Sequence, residues 1–190
     1  TLSSSSAASD VYKRQGKNPF KALRNMMPAY FTALGTSSSA ATIPISVEST
    51  LKNGISRPVA NFVIPLCATI HLSGSMIKLT LYAFAIVYMA NLDISTSTGL
   101  GFIFLLGIMM IAAPGVPGGA VMVAAGLLAD MMGFDDGMVA LMIAAYIAID
   151  SVGTAANVTG DGAIAMILDK FVGNREDATK AVSYTHLRAH

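Results

Sequence analysis

The stretch Gly99–Met132, GLGFIFLLGIMMIAAPGVPGGAVMVAAGLLADMM, decides how this chain is built. An apolar run, Gly99–Ala113, stops at Pro114-Gly115-Val116-Pro117-Gly118-Gly119, and a second run, Ala120–Met132, resumes behind it. Crossing a hydrocarbon core ~30 Å thick takes about 20 apolar residues in a helix, and neither run has them. Two short helices meeting at a Gly/Pro tip suggest a re-entrant hairpin, because irregular backbone at membrane depth persists only where protein or a cavity surrounds it. The pattern recurs upstream. Phe20–Leu34 stops at Gly35-Thr36-Ser37-Ser38-Ser39-Ala40-Ala41, and a short helix over about Thr42–Lys52 follows. Paired interrupted segments in corresponding halves point to the binding site of a transporter; the blander alternative is two kinked helices.

Composition agrees with a membrane setting. The 190 residues are 54% hydrophobic and 12% charged, with a mean hydropathy of +0.61, against about 25% charged residues in a soluble domain. Between Pro58 and Ala129 the only formal charges are Lys78 and Asp93, too few to cover a water-soluble surface. The net charge of +1 and the lack of a basic face exclude nucleic acid as a partner. A single Cys67 excludes a disulfide framework. Thr1–Gln15 and Ser183–His190 read as non-native flanks, and no signal peptide is evident.

Outside the hairpins, Arg57–Ile70 breaks at His71-Leu72-Ser73-Gly74-Ser75 and resumes as Met76–Leu92, while Asp136–Phe171 reads as one long, nearly unbroken helix. Lys17, Lys21 and Arg24 precede the first hairpin, and Lys170, Arg175 and Lys180 follow the last helix. Both ends are therefore expected on the cytoplasmic side. The chain would go out once through Arg57–Leu92 and return once through Asp136–Phe171.

The last helix carries the strongest chemical signal. Asp150, Thr154, Asn157 and Asp161 fall within an arc of roughly 60° at about 100° per residue, so they form one polar stripe. A carboxylate at the bilayer centre costs at least ~2.5–3.5 kcal/mol, and two on one face call for a cation, a substrate or a partner. The break at His71–Ser75 exposes backbone carbonyls suited to a hard cation such as Na⁺. No Walker A loop, H-E-x-x-H or G-x-S-x-G motif is present, so an enzyme is not expected.

Thr36-Ser37-Ser38-Ser39-Ala40-Ala41-Thr42-Ile43-Pro44, the tip Gly115-Val116-Pro117-Gly118, and Asn157-Val158-Thr159-Gly160-Asp161 together resemble the sodium:dicarboxylate symporter family. Order and spacing of the three motifs match over about Phe20 to Val172, the family's C-terminal half. The resemblance implies an all-α membrane protein, with residues 16–182 as a transport domain. Its parts would be a first re-entrant hairpin (16–54), a broken transmembrane helix (55–94), a second re-entrant hairpin (95–134) and a long C-terminal transmembrane helix (135–172). The parent would be a homotrimer held by preceding helices, multi-pass in the cell (inner) membrane, in contact with lipid.

Carried over, Ser38, Ser39 and Val116 would line the substrate site. Asp150 would hold the substrate's amino group and Asn157 its α-carboxylate, with Thr154 and Ser75 beside them. Asp161 would ligate one Na⁺, with backbone carbonyls of Cys67, His71 and Asn157, and Thr69 would help to form a second Na⁺ site; H⁺ is an alternative coupling ion. Three departures stand out. The family's Asn-Met-Asp-Gly-Thr is here His71-Leu72-Ser73-Gly74-Ser75, its carboxylate-clamping Arg is Gly153, and Lys78 is an added cation. The resulting expectation is cation-coupled symport of a small amino acid or dicarboxylate into the cell. Lys78 pointing into the site would hold an anionic substrate or occupy the place of a lost Na⁺, whereas Lys78 snorkelling to the interface would mean a neutral substrate; of the two, the neutral amino acid is favoured over an acidic substrate held by Lys78. A non-transporting membrane scaffold or channel is the rival reading.

Overall fold

The computed structural model describes residues 18–187, with side chains through 172, and among these residues there are eight α-helices and no strand. The first flank, Lys17, the side chains of Arg175 and Lys180, and the side chains of the last flank lie outside the described residues.

Helix α1 (Pro19–Thr36) starts with proline, whose missing N–H is harmless in a first turn. The Asn18 side chain caps it, accepting from Phe20 N–H at 2.9 Å. It ends on Ser37, left-handed at φ 49°. Ser38 is immediately the N-cap of α2 (Ser39–Leu51), its hydroxyl accepting from Ala41 N–H at 3.2 Å. One serine thus closes a helix and the next opens another, which is why the tip is a run of small polar residues.

Helices α3 (Arg57–Ile70) and α4 (Ser73–Met89) together form a 33-residue apolar run with mean hydropathy 1.5. The break between them is narrower than expected. Only His71 and Leu72 leave the helix, while Ser73, Gly74 and Ser75 form the first turn of α4. Helix α5 (Thr96–Met109) tightens into a 3-10 turn (Met110–Ala112), and α6 (Gly119–Met132) begins beyond the Pro/Gly tip.

The last segment departs from expectation. The chain breaks at Ile149 into α7 (Asp136–Ala148) and α8 (Asp150–Leu187), bent by 62°. No proline or glycine lies at the bend. Tyr146 and Asp150, on either side of it, line the candidate site.

Helix α8 packs against α1, α2, α3 and α4. Small side chains allow the close approach: Ala29 and Ala33 of α1 meet Ala155 and Val158 of α8. A second core joins α4, α5, α6 and α7 through Leu79, Phe102, Leu106, Val121, Leu128 and Met142. Large apolar side chains also point outward, among them Phe62, Phe104, Tyr88 and Met122. Large apolar side chains exposed in this number suit contact with lipid or another helix.

Candidate functional site

The two tips touch. Gly115 C=O accepts from Ala40 N–H at 3.1 Å and from the Ser38 hydroxyl at 2.9 Å. Gly115 is needed there, because a Cβ on it would collide with the Ala68 carbonyl at the end of α3. Beneath the contact lies a cleft of about 10 Å³, the volume that one water occupies. Ser37, Ser39, Ser75, Val116, Tyr146, Asp150, Thr154 and Asn157 are among its lining residues. Four helices contribute their first turn: Ser39 of α2, Ser75 of α4, Ala120 of α6 and Asp150 of α8. Helix N-termini carry partial positive charge from their unpaired N–H groups.

The polar stripe faces inward along its whole length, as its spacing implied: Asp150, Thr154, Asn157 and Asp161 are all at most 4% exposed. Each has a protein partner. Asn157 joins α8 to α4, its Oδ1 accepting from Gly74 N–H at 2.8 Å and its Nδ2 donating to Ser75 Oγ at 3.1 Å. Thr154 donates to its own helix at Asp150 C=O. Asp161 Oδ1 lies 2.8 Å from His71 Nδ1, at the α3–α4 break.

Asp150 is held on both oxygens. Gly118 N–H, from the second tip, donates to Oδ2 at 2.8 Å, and Lys78 Nζ donates to Oδ1 at 3.0 Å. The ammonium also donates to the carbonyls of Tyr146 and Ile149, at 3.4 and 3.3 Å, and lies 3.5 Å over the Tyr146 ring. These carbonyls lie at the end of α7, where the Ile149 oxygen also accepts from Val152 N–H at 3.3 Å, so Lys78 closes on one helix end while Asp150 opens the next. The ammonium thus ties the two sides of the bend together. Lys78, 8% exposed, does not snorkel and points into the site.

Gly153 completes the arrangement. A Cβ there would lie 3.2 Å from Lys78 Nζ and 3.3 Å from Cε, so the lysine tip fills the space that a side chain at 153 would enter. Beyond it, a cavity of about 220 Å³ extends along Ile77, Leu81, Tyr82, Val152 and Ala156.

The remaining ion candidates are placed unevenly. Cys67 is buried, and its carbonyl accepts from His71 N–H at 2.8 Å. Thr69 stands apart on the exposed face of α3, its hydroxyl donating to Leu66 C=O. Ser38 serves the tip contact, whereas Ser39 lines the cleft. Among the described residues no three His, Cys, Asp or Glu side chains cluster, so an ion here would rely on carbonyl and amide oxygens with one carboxylate. Sequence reasoning missed Tyr146 and Gly118. Tyr146 carried a signal, being four residues before Asp150 and hence on its face had the helix run straight. The role of Gly118 N–H has none, since any residue but proline supplies the donor.

The model of the sodium:dicarboxylate symporter family matches residues 11–171. Among similar curated proteins, the mouse neutral amino acid transporter B(0) is 30% identical over 174 residues, 88% of this chain and 30% of that protein. The rat excitatory amino acid transporter 1 is 31% identical over 154 residues, 80% of this chain and 28% of that protein. The human neutral amino acid transporter A is 28% identical over 153 residues, 80% of this chain and 29% of that protein. The chain spans a little under a third of the length of these relatives.

Proposed function

The chain belongs to the sodium:dicarboxylate symporter family, and from that premise we propose that it forms the substrate- and ion-binding part of a cation-coupled symporter importing a small carboxylate or amino acid. The observation that carries this reading is the meeting of two interrupted helix pairs over a buried polar cleft. A water-soluble or purely structural bundle has no use for such irregular backbone in its centre. In this reading α1–α2 and α5–α6 are the two re-entrant hairpins, α3–α4 is the broken span, and α7–α8 is the returning span. The parent lies in the cell (inner) membrane as a multi-pass protein, with its oligomer contacts on helices outside this chain.

Na⁺ is the coupling ion we favour. Asp161 and Asn157, with carbonyls of Cys67 and His71, supply the oxygen set a hard cation prefers, and Thr69 would join only after α3 re-aims its hydroxyl. Ser39, Ser75, Val116, Thr154 and Asn157 would contact substrate. Uptake by the full-length parent in proteoliposomes tests the reading. An inward Na⁺ gradient should drive accumulation of a labelled amino acid or dicarboxylate above equilibrium, with an H⁺ gradient as the second arm. Flux that merely equilibrates, indifferent to both gradients, would leave a channel.

A further inference from the structure

We propose that Lys78 sets the substrate class of this cleft: its ammonium stands on Asp150 where a substrate's own amino group would have to bind, so the cleft, widened as its two tips part, takes a small carboxylate that carries no α-amino group. The inference deepens the symporter reading and rests on it for taking the cleft as the substrate site.

Asp150 is the one carboxylate lining the cleft. Both of its oxygens are engaged, one by Gly118 N–H and one by Lys78 Nζ. An incoming ammonium would find its only counter-charge already neutralised. Evicting Lys78 is costly, because the Tyr146 and Ile149 carbonyls would each lose a charged donor, Ile149 keeping only Val152 N–H, and the lysine would need a new home in an apolar surround. Gly153 shows that the placement is built in, since a larger residue there would meet the ammonium. With Asp150 neutralised, the helix N-termini at Ser39, Ser75 and Ala120 leave the cleft electropositive, which suits a carboxylate.

The test uses the intact parent in proteoliposomes, with labelled succinate as the transported probe and lactate, serine, alanine and aspartate as competitors. The same compounds are added to the detergent-solubilised protein, and the shift in melting temperature is read. In the wild type, succinate and lactate should compete and stabilise, while the three amino acids should do neither at 100-fold excess. In Lys78→Met, which frees Asp150, inhibition by serine and alanine should strengthen at least 10-fold. In Lys78→Met/Asp150→Asn that gain should vanish, which a merely structural role for the lysine would not produce. Serine or alanine binding the wild type as well as succinate does would overturn the proposal, a result readable even where the variants fail to fold. So would unchanged selectivity in a folded Lys78→Met. Absence of accumulation under any gradient, with stabilisation by succinate but not serine, would remove symport and leave the specificity assignment standing.

Discussion

Asp161 and Gly153 show how much a single position decides in this chain. The Asp161 carboxylate is 1% exposed and has one polar neighbour, His71, across a break in the backbone. Removing its charge should weaken cation binding more than the cleft itself. In the parent, Asp161→Asn is expected to shift the Na⁺ titration of uptake to higher concentration while leaving maximal substrate binding nearly intact; an unaltered titration would remove Asp161 from the ion site. At Gly153 the effect is steric. Ala would press on Lys78 Nζ and Cε, which must give by a few tenths of an ångström, so the helix-propensity gain of about 0.5–1 kcal/mol should be cancelled there. Gly126, exposed in α6 with nothing within 4 Å of a built Cβ, is the control: Gly126→Ala should stabilise by about 0.5–1 kcal/mol through helix propensity alone. Thermal melts of both variants in one detergent decide the pair.

The two touching tips are where element-level design is most exposed to a simple change. Ser38 both caps α2 and donates to Gly115 C=O. Ser38→Ala should cost about 1–2 kcal/mol and speed amide hydrogen exchange across 37–42 and 114–119 together; acceleration confined to one tip would contradict the shared contact. The tips were legible in the sequence because serine, glycine and proline interrupt apolar runs, and local chemistry writes such signals plainly. The polar stripe was legible because its 3.6-residue period survives in α8. The bend at Ile149 was not. Residues Ala144 to Ile149 contain no helix breaker, and the bend is held by Lys78, about 70 positions away in sequence, and by Gly118 N–H. The inward path of Lys78 was equally hidden, since a lysine near a helix break has two sensible destinations and only the space at Gly153 chooses between them.

For the molecule as a whole, the apolar side chains on the outside matter as much as those within. Phe62, Tyr88 and Phe104 lie on outer faces, and the chain is a little under a third of its relatives' length. These faces need cover that the described residues do not supply, and movement across a membrane needs something to move against. The isolated chain in liposomes should therefore accumulate no labelled solute under a Na⁺ gradient that drives the parent; accumulation by the chain alone would contradict this. The Gly115 carbonyl carries one more consequence. Because a single oxygen holds both tips, withdrawing either one severs both bonds at once, and the tip left behind is then freer to follow. The latch is cooperative and cannot by itself act as an airlock. In the proposed symporter, whatever keeps one side sealed while the other is open would then have to come from the bound solute and ions, or from helices outside this chain.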